Sequence, residues 1–348
     1  MKKLMGSGFF IFGYFGLRTN KLNGQTVKTR MIHNLFEEKL KEGVPFYDTE
    51  ELKYDKLSLV KSLFRMIRCK HIIYIPAQNN LKRFFILLYI LSIFFHFNIH
   101  YFVVGGWLPQ FINKHLVIKK KLKNIHSIYV ETKDMLKKMT DNHKFQNIVW
   151  FPNFRVDYNV RNNIENKEKL RLVFMSRITL EKGIDTIFSY LDSVKGSAIY
   201  DKITIDFFGQ VDNAYYDWFF VQISRHHNSF YKGEINPEKV QFTLSQYDFM
   251  IFPTRYPGEG CPGIIIEAYM ASVPVLASDW KYNNEFVVNG VTGFLYNYDN
   301  TEQLAEIIAS LVSNRPVIEV LRKNAKRFSY EFTSNKAWEI IANEINII

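Results

Sequence analysis

The chain is predicted to be an α/β protein of two domains, each built around a sheet flanked by helices. Three observations predict this. The length, 348 residues, exceeds what a single core of about 100–150 residues serves. Short apolar runs alternate along the chain with longer helix-like stretches, as β/α units do. One stretch shows the unit whole. Residues 249–252 are apolar, 256–263 form a Gly/Pro-rich loop, 264–271 read as a helix and 273–277 are apolar again, which is strand, loop, helix, strand.

The elements follow in chain order. Met1-Lys2-Lys3 followed by an apolar run to residue 17 imitates a secretory leader. No small-residue cleavage site precedes Arg18-Thr19-Asn20-Lys21, so residues 9–15 read as a buried first strand. Residues 16–25 read as a loop with an Asn23-Gly24 turn. Residues 26–40 read as a helix with Val27, Met31, Leu35 and Phe36 near one face. Strands are expected at 71–75 and 101–104, the second running into Gly105-Gly106-Trp107. Residues 84–95 are apolar on all sides. As a helix they span about 18 Å at ~1.5 Å per residue, too short for a bilayer core of about 30 Å. A buried helix is expected, with a dip into a membrane interface as the alternative.

Lys114, Lys119, Lys120, Lys121 and Lys123 read either as a solvated face or as a patch for anionic lipid headgroups. Strands at 125–130 and 148–151 close the first half, and the polar stretch 157–169 is the expected linker. In the second half, a strand at 172–175 runs into Ser176-Arg177 and, through Lys182-Gly183, into a helix from Ile184. A strand at 203–208 ends in Gly209-Gln210, and Phe230-Tyr231-Lys232-Gly233 is a further short strand with its turn. A helix is expected over 236–245, a hairpin-like element over 286–296, and helices over 301–312, 316–328 and 334–347.

Composition narrows the partners. The 45 basic and 34 acidic residues leave a net charge of +11, which favours nucleic acid, an acidic lipid surface or a nucleotide. The two cysteines, Cys69 and Cys261, form no disulfide framework and suit a reducing, cytoplasmic setting. The positive charge is spread out and no nucleic-acid-binding module is apparent, so no nucleic-acid partner is expected. A nicotinamide-linked dehydrogenase is disfavoured because no Gly-x-Gly-x-x-Gly turn joins a strand to a helix; Gly6-Ser7-Gly8 lacks the third glycine.

The chemistry concentrates at residues 253–279. Glu259 lies in the loop and Glu267 on the helix, bracketing a helix start at Pro262-Gly263. Unpaired N–H groups of a first helical turn attract anions. An anion site between two carboxylates suits a ligand that carries phosphate and several hydroxyls.

This segment resembles the donor site of the family-4 retaining glycosyltransferases. Their signature of two glutamates with seven residues between them, a small-residue turn and a Pro-containing strand is matched by Glu259-GCPGIII-Glu267 and Ala271-Ser272-Val273-Pro274-Val275. Cys-Pro-Gly stands where Phe-Gly is commoner, and Ser272 replaces a glycine. Upstream, Ser176-Arg177 and Glu181-Lys182-Gly183 resemble the family's Gly-Arg and Glu-Lys-Gly element. The match is close over 172–293 and looser over 1–170, where Trp107 stands near the place of a histidine in many relatives.

The resemblance implies two Rossmann-like domains facing a cleft, here 1–165 on the acceptor side and 166–330 on the nucleotide-sugar side. Residues 331–348 would form a helix crossing back to the first domain. It implies transfer of a sugar, with retained configuration, from a UDP- or GDP-sugar to a saccharide or lipid-linked acceptor, as in surface polysaccharide assembly. Arg177 and Lys182 would grip the diphosphate, Glu259 the donor sugar and Glu267 the ribose. Gly260, Cys261, Pro262, Gly263 and Ile264 would line the donor, with the backbone N–H groups about Cys261 and Gly263 orienting the sugar and Cys261 a small loop residue rather than a nucleophile. Gly209 and Gly233 would lie beside the nucleotide, and Asn23, Gly24 and Gln25 would face the donor from the other domain. No Asp-x-Asp motif or metal-ligand cluster is seen, so no obligatory metal or other cofactor is expected. Lys119, Lys120, Lys121 and Lys123 would allow peripheral contact with the inner membrane face. An epimerase or phosphorylase on the same fold is the alternative.

Overall fold

The computed structural model describes residues 8–21, 23–160 and 168–345. The leader-like start up to residue 7 with Gly6 and Ser7, linker residues 161–167 and positions 346–347 of the expected last helix lie outside the described residues. Contacts divide the chain into two units, Met1–Asn153 with Ser334–Ile348, and Phe154–Thr333.

The first unit holds strands β1 (Phe9–Gly13), β2 (Phe46–Asp48), β3 (His71–Ile75), β4 (Asn98–Phe102), β5 (Ser127–Val130) and β6 (Ile148–Trp150). They form a six-stranded sheet in the order β2-β1-β3-β4-β5-β6, every pair parallel. Its helices are α1 (Gly24–Leu40), α2 (Lys56–Met66), α3 (Gln78–Phe95), α4 (Leu108–Lys114), α5 (Leu116–Leu122) and α6 (Lys133–Lys137). β1 and β3 are buried along their whole length, as interior parallel strands covered on both faces must be.

Right-handed crossovers put α1 on one face of this sheet, because β1 to β2 steps one way. β2 to β3, β3 to β4 and β4 to β5 step the other way, so α2 to α5 cover the opposite face.

Two expectations are corrected here. The buried face of α1 is Thr26, Lys28, Thr29, Ile32, Leu35 and Phe36, not the stripe through Val27 and Met31. Lys28 is tolerated inside because its Nζ lies 2.6 Å from Glu131 Oε1 and donates to the Val103 carbonyl at 3.0 Å. The other Glu131 oxygen accepts from Gly105 N, so both charges are compensated. The second correction concerns α3. Leu81, Phe84, Phe85, Leu88 and Tyr89 are buried, but Leu87, Ile90, Ile93, Phe94 and Phe95 are exposed. One face packs on the sheet and the other, equally apolar, meets solvent.

A buried polar chain crosses the same sheet. His71 Nδ1 lies 3.0 Å from His100 Nε2, and His100 Nδ1 lies 2.8 Å from Ser127 Oγ. Burial, with Lys70 and His126 adding, lowers the His71 pKa from 6.5 to about 4. Above about pH 6.5 neither folded nor unfolded chain is protonated there. Between 6.5 and about 4 the unfolded chain takes up a proton that the folded one refuses, so stability is lost as the pH is lowered through that window. Urea midpoints measured across it should drop for wild type. A His71→Asn variant should show a shallower slope, and equal slopes would remove His71 from the account.

The second unit holds β7 (Leu170–Met175), β8 (Ile203–Phe208), β9 (Ser229–Tyr231), β10 (Phe249–Phe252), β11 (Val275–Ser278) and β12 (Gly293–Tyr296). Its sheet is also parallel throughout, in the order β12-β11-β10-β7-β8-β9. The helices are α7 (Ile184–Val194), α8 (Tyr216–Arg225), α9 (Val240–Leu244), α10 (Gly263–Met270), α11 (Asn283–Phe286), α12 (Thr301–Ser313) and α13 (Pro316–Ser329). On one face Leu172, Phe174, Ile205, Phe207, Phe249 and Ile251 pack with Ile187, Leu191, Leu304 and Ile308. No hairpin forms over 286–296. The Asn289-Gly290 turn instead leads from α11 into β12, which pairs parallel with β11.

Residues 154–158, expected on the first-domain side, join the second unit because their bonds lead there. Arg155 N donates to Phe332 O, Tyr158 N to Gln241 Oε1, and Asp157 pairs with Lys326. The last helix, α14 (Ser334–Ile345), belongs to the first unit, where Trp338 meets Phe36 edge-on at 5.5 Å.

Candidate active site

Strand order in the second unit reverses between β7 and β10. In open parallel sheets, ligands bind beyond the carboxyl ends of the strands at such a reversal. Two loops leave the sheet there, residues 176–183 after β7 and 253–262 after β10. They are joined directly. Arg255 N donates to Glu181 O at 2.9 Å, and the Arg255 guanidinium pairs with Asp185 at 2.7 Å. Gly183 has φ 79°, and a Cβ there would overlap the Pro253 carbonyl, so glycine is what lets the loops close up.

The pairing brings Lys182 to Glu259. Nζ and Oε2 are 2.7 Å apart, with the side chains 11% and 12% exposed. Thr254 Oγ1 donates to the same oxygen at 2.9 Å, and the ammonium lies 4.7 Å from the centre of the Tyr256 ring. The pair is shielded yet open on one side, which leaves a cation and an acceptor available to a ligand.

Residues Gly260, Cys261 and Pro262 form the turn into α10, and Gly263 and Ile264 its first positions. Pro262 provides no capping side chain, so the first-turn N–H groups keep their pull on an anion. Glu267 lies one turn on and is held from two sides. Arg155 Nε donates to Oε1 at 2.8 Å and Gln241 Nε2 to Oε2 at 2.9 Å. The Arg155 guanidinium lies over the start of α10, where a Cβ on Gly263 would overlap it. Arg155, Gln241 and Thr254 were not anticipated from sequence. The only signal was a cation just after the aromatic end of the first half.

The remaining expected residues are placed as follows. Arg177 is exposed and lines a cavity of about 210 Å³ with Thr179, Gln210, Val211, Asp212 and Asn213. Among the described residues no hydrogen bond joins it to either glutamate. Gly209 N donates to Gly233 O at 2.9 Å, so those two glycines meet beyond β8 and β9. Asn23, Gly24 and Gln25 sit in the first unit at the start of α1. Asn23 caps the helix by accepting from Thr26 N, and Gln25 Nε2 donates to Ile75 O at the end of β3 at 3.0 Å. That is where the first sheet's strand order reverses. Trp107 spends its indole N–H on Val104 O at 2.7 Å. Among the described residues, no group of three or more His, Cys, Asp or Glu side chains is placed to hold a metal ion.

Residues 155–328 match the family described as glycosyl transferases group 1. The chain belongs to that family. The match begins at Arg155 and takes in both loops and both glutamates.

Among curated relatives, an "uncharacterized 41.2 kDa protein in cps region" of Klebsiella pneumoniae is 27% identical over 174 residues, covering 50% of this chain and 44% of its own length. The capsular polysaccharide biosynthesis glycosyltransferase CapM of Staphylococcus aureus is 23% identical over 207 residues, covering 58% and 53%. The chain thus spans about half the length of the curated relatives it matches. Among solved structures, Anabaena HepE in complex with UDP and glucose superposes with a TM-score of 0.74 at 13% identity, covering 98% of this chain and all of that one. At that identity the likeness speaks for the fold. The fold is the two-unit Rossmann-like (GT-B) type of these transferases.

Proposed function

We propose that this glycosyl transferases group 1 member moves a sugar, with retained anomeric configuration, from a nucleoside diphosphate sugar to a hydroxyl of a saccharide or lipid-linked saccharide. The observation that carries the proposal is Lys182 against Glu259 beside the uncapped start of α10, at the strand-order reversal. Lys182 and the helix start take the diphosphate, and Arg177 approaches it from its cavity. Glu259 accepts from hydroxyls of the donor sugar. Glu267, oriented by Arg155 and Gln241, accepts from the ribose. The UDP bound to the Anabaena protein favours a uridine donor, and CapM favours capsule-like polysaccharide as the product class.

Breaking the bond to the sugar leaves negative charge on the departing diphosphate. Fixed cations there stabilise the transition state more than the ground state. Retention rests on the family resemblance: we assign it to same-face attack in which the acceptor hydroxyl bonds to the sugar carbon as the bond to the diphosphate breaks and the departing phosphate takes the acceptor's proton. The exposed lysines of α5 are assigned to anionic headgroups.

A thermal-shift screen tests the donor. A UDP- or GDP-sugar should raise the unfolding midpoint with saturable dose dependence, and we expect the UDP-sugar; a CMP-sugar, which carries a single phosphate, should not. Indifference to all three would end the nucleotide-sugar reading.

A further inference from the structure

We propose that the first unit carries a membrane-docking face, formed by α2, α3 and α5, that inserts apolar side chains into an anionic lipid surface. The charge distribution comes first. From Lys56 to Val130 the chain has 12 Lys or Arg and not one Asp or Glu. Of the 45 basic residues 12 lie there, with none of the 34 acidic ones, so the rest of the chain is close to neutral. The whole net charge resides in the segment that builds α2 to α5.

Exposure supplies the second half. On α2, Leu57, Val60 and Phe64 are 68%, 47% and 61% exposed, spaced as one helix face. Lys61, Arg65 and Arg68 are exposed beside them. On α3, Leu87, Ile90 and Phe94 repeat that spacing at 41%, 45% and 73%. On α5, Leu116 and Val117 are 69% and 67% exposed, next to exposed Lys120. Only Met66 of α2 is buried. Such a run of exposed large side chains has no use in an aqueous surface.

Topology puts these faces together. α2, α3 and α5 follow three crossovers in the same direction, so they cover one face of the sheet. α2 and α3 both return the chain from the carboxyl edge of the parallel sheet to its amino edge. Their C-terminal turns, with Phe64 and Phe94, therefore lie toward the same edge.

The chemistry selects the occupant. Two copies meeting symmetrically through this face would bring like charges together. Nucleic acid would leave the aliphatic side chains uncovered. An anionic bilayer surface satisfies both, with Leu, Ile and Phe entering below the headgroups and Lys and Arg staying among them. The lysines of α5 contribute unequally. Lys119 contacts His143 Nδ1 at 3.1 Å and Lys121 the Tyr89 ring at 5.0 Å, while Lys120 and Lys123 are exposed. No described helix is long and apolar enough to cross a membrane, so the face lies on the bilayer.

Co-sedimentation with phosphatidylcholine vesicles, with and without phosphatidylglycerol, tests this without any donor or acceptor. The full chain should partition onto the phosphatidylglycerol vesicles and weaken with added salt. A Phe64→Ser/Phe94→Ser variant should bind at least about tenfold more weakly, from lost apolar burial. Lys61→Gln/Arg65→Gln should lose about fivefold per charge. Both variants should keep the gel-filtration profile and the donor-induced thermal shift of wild type. Equal binding to neutral and anionic vesicles, or unaltered binding by the phenylalanine variant, overturns the proposal. So does a wild-type dimer that the phenylalanine changes dissociate, which would make the face an interface between copies.

Discussion

Replacing Lys182 with alanine is expected to lower kcat by about 10²- to 10³-fold, the range for removing one preorganised donor to a developing negative charge. Lys182 is placed for this by the loop after β7, whose closure needs Gly183 against Pro253. Its resting partner is Glu259 at 2.7 Å. Both side chains keep contact with solvent, so the orphaned carboxylate can be hydrated and the variant should fold. Lys182→Arg keeps the charge but moves it, and should recover part of the loss. Steady-state release of the nucleoside diphosphate, with circular dichroism as the folding control, reads both. Turnover within a few-fold of wild type for a folded alanine variant would remove Lys182 from the chemistry.

How much of this was legible in advance differs between the units. In the second, the interior strand Phe249–Phe252 stands out because a strand buried on both faces reads as an unbroken apolar run, while Ile203–Phe208, with Thr204 and Asp206 inside it, shows instead the alternation of a strand with one buried face. The site was legible for a related reason. Lys182 and Glu259 belong to loops that directly follow a strand, and Glu267 to the second turn of the helix after one of those loops, so local order reveals them as candidates.

What stayed hidden depends on distant partners. Nothing near Lys28 announces that it is buried, since its counter-charge Glu131 is 103 residues away. Arg155 and Glu267 are 112 residues apart. The apolar stretch in α3 misled because periodicity reports a side chain's character, not what covers it. Phe84 on the sheet and Phe94 in solvent look alike in the sequence. β2, three residues long, is too short for any pattern to register.

Glu267→Ala carries the other large effect, and it separates two roles that the geometry superimposes. The carboxylate is proposed to hold the ribose, and it also balances the half-buried guanidinium of Arg155 at 2.8 Å. Losing ribose contacts made equally in ground and transition states should appear mainly in the donor KM. A fall in kcat/KM of about 10²-fold follows from losing two charge-assisted hydrogen bonds. Losing the balance to Arg155 should lower the unfolding midpoint as well, because a shielded cation is left without its carboxylate. The double variant Arg155→Ala/Glu267→Ala resolves the two. Stability should return toward wild type, since the unpaired charge is gone, while donor KM stays high because nothing replaces the ribose acceptor. A double variant that regained donor affinity together with stability would show that Glu267 serves Arg155 alone. The nucleotide would then have to be held by other groups of the β10–α10 turn.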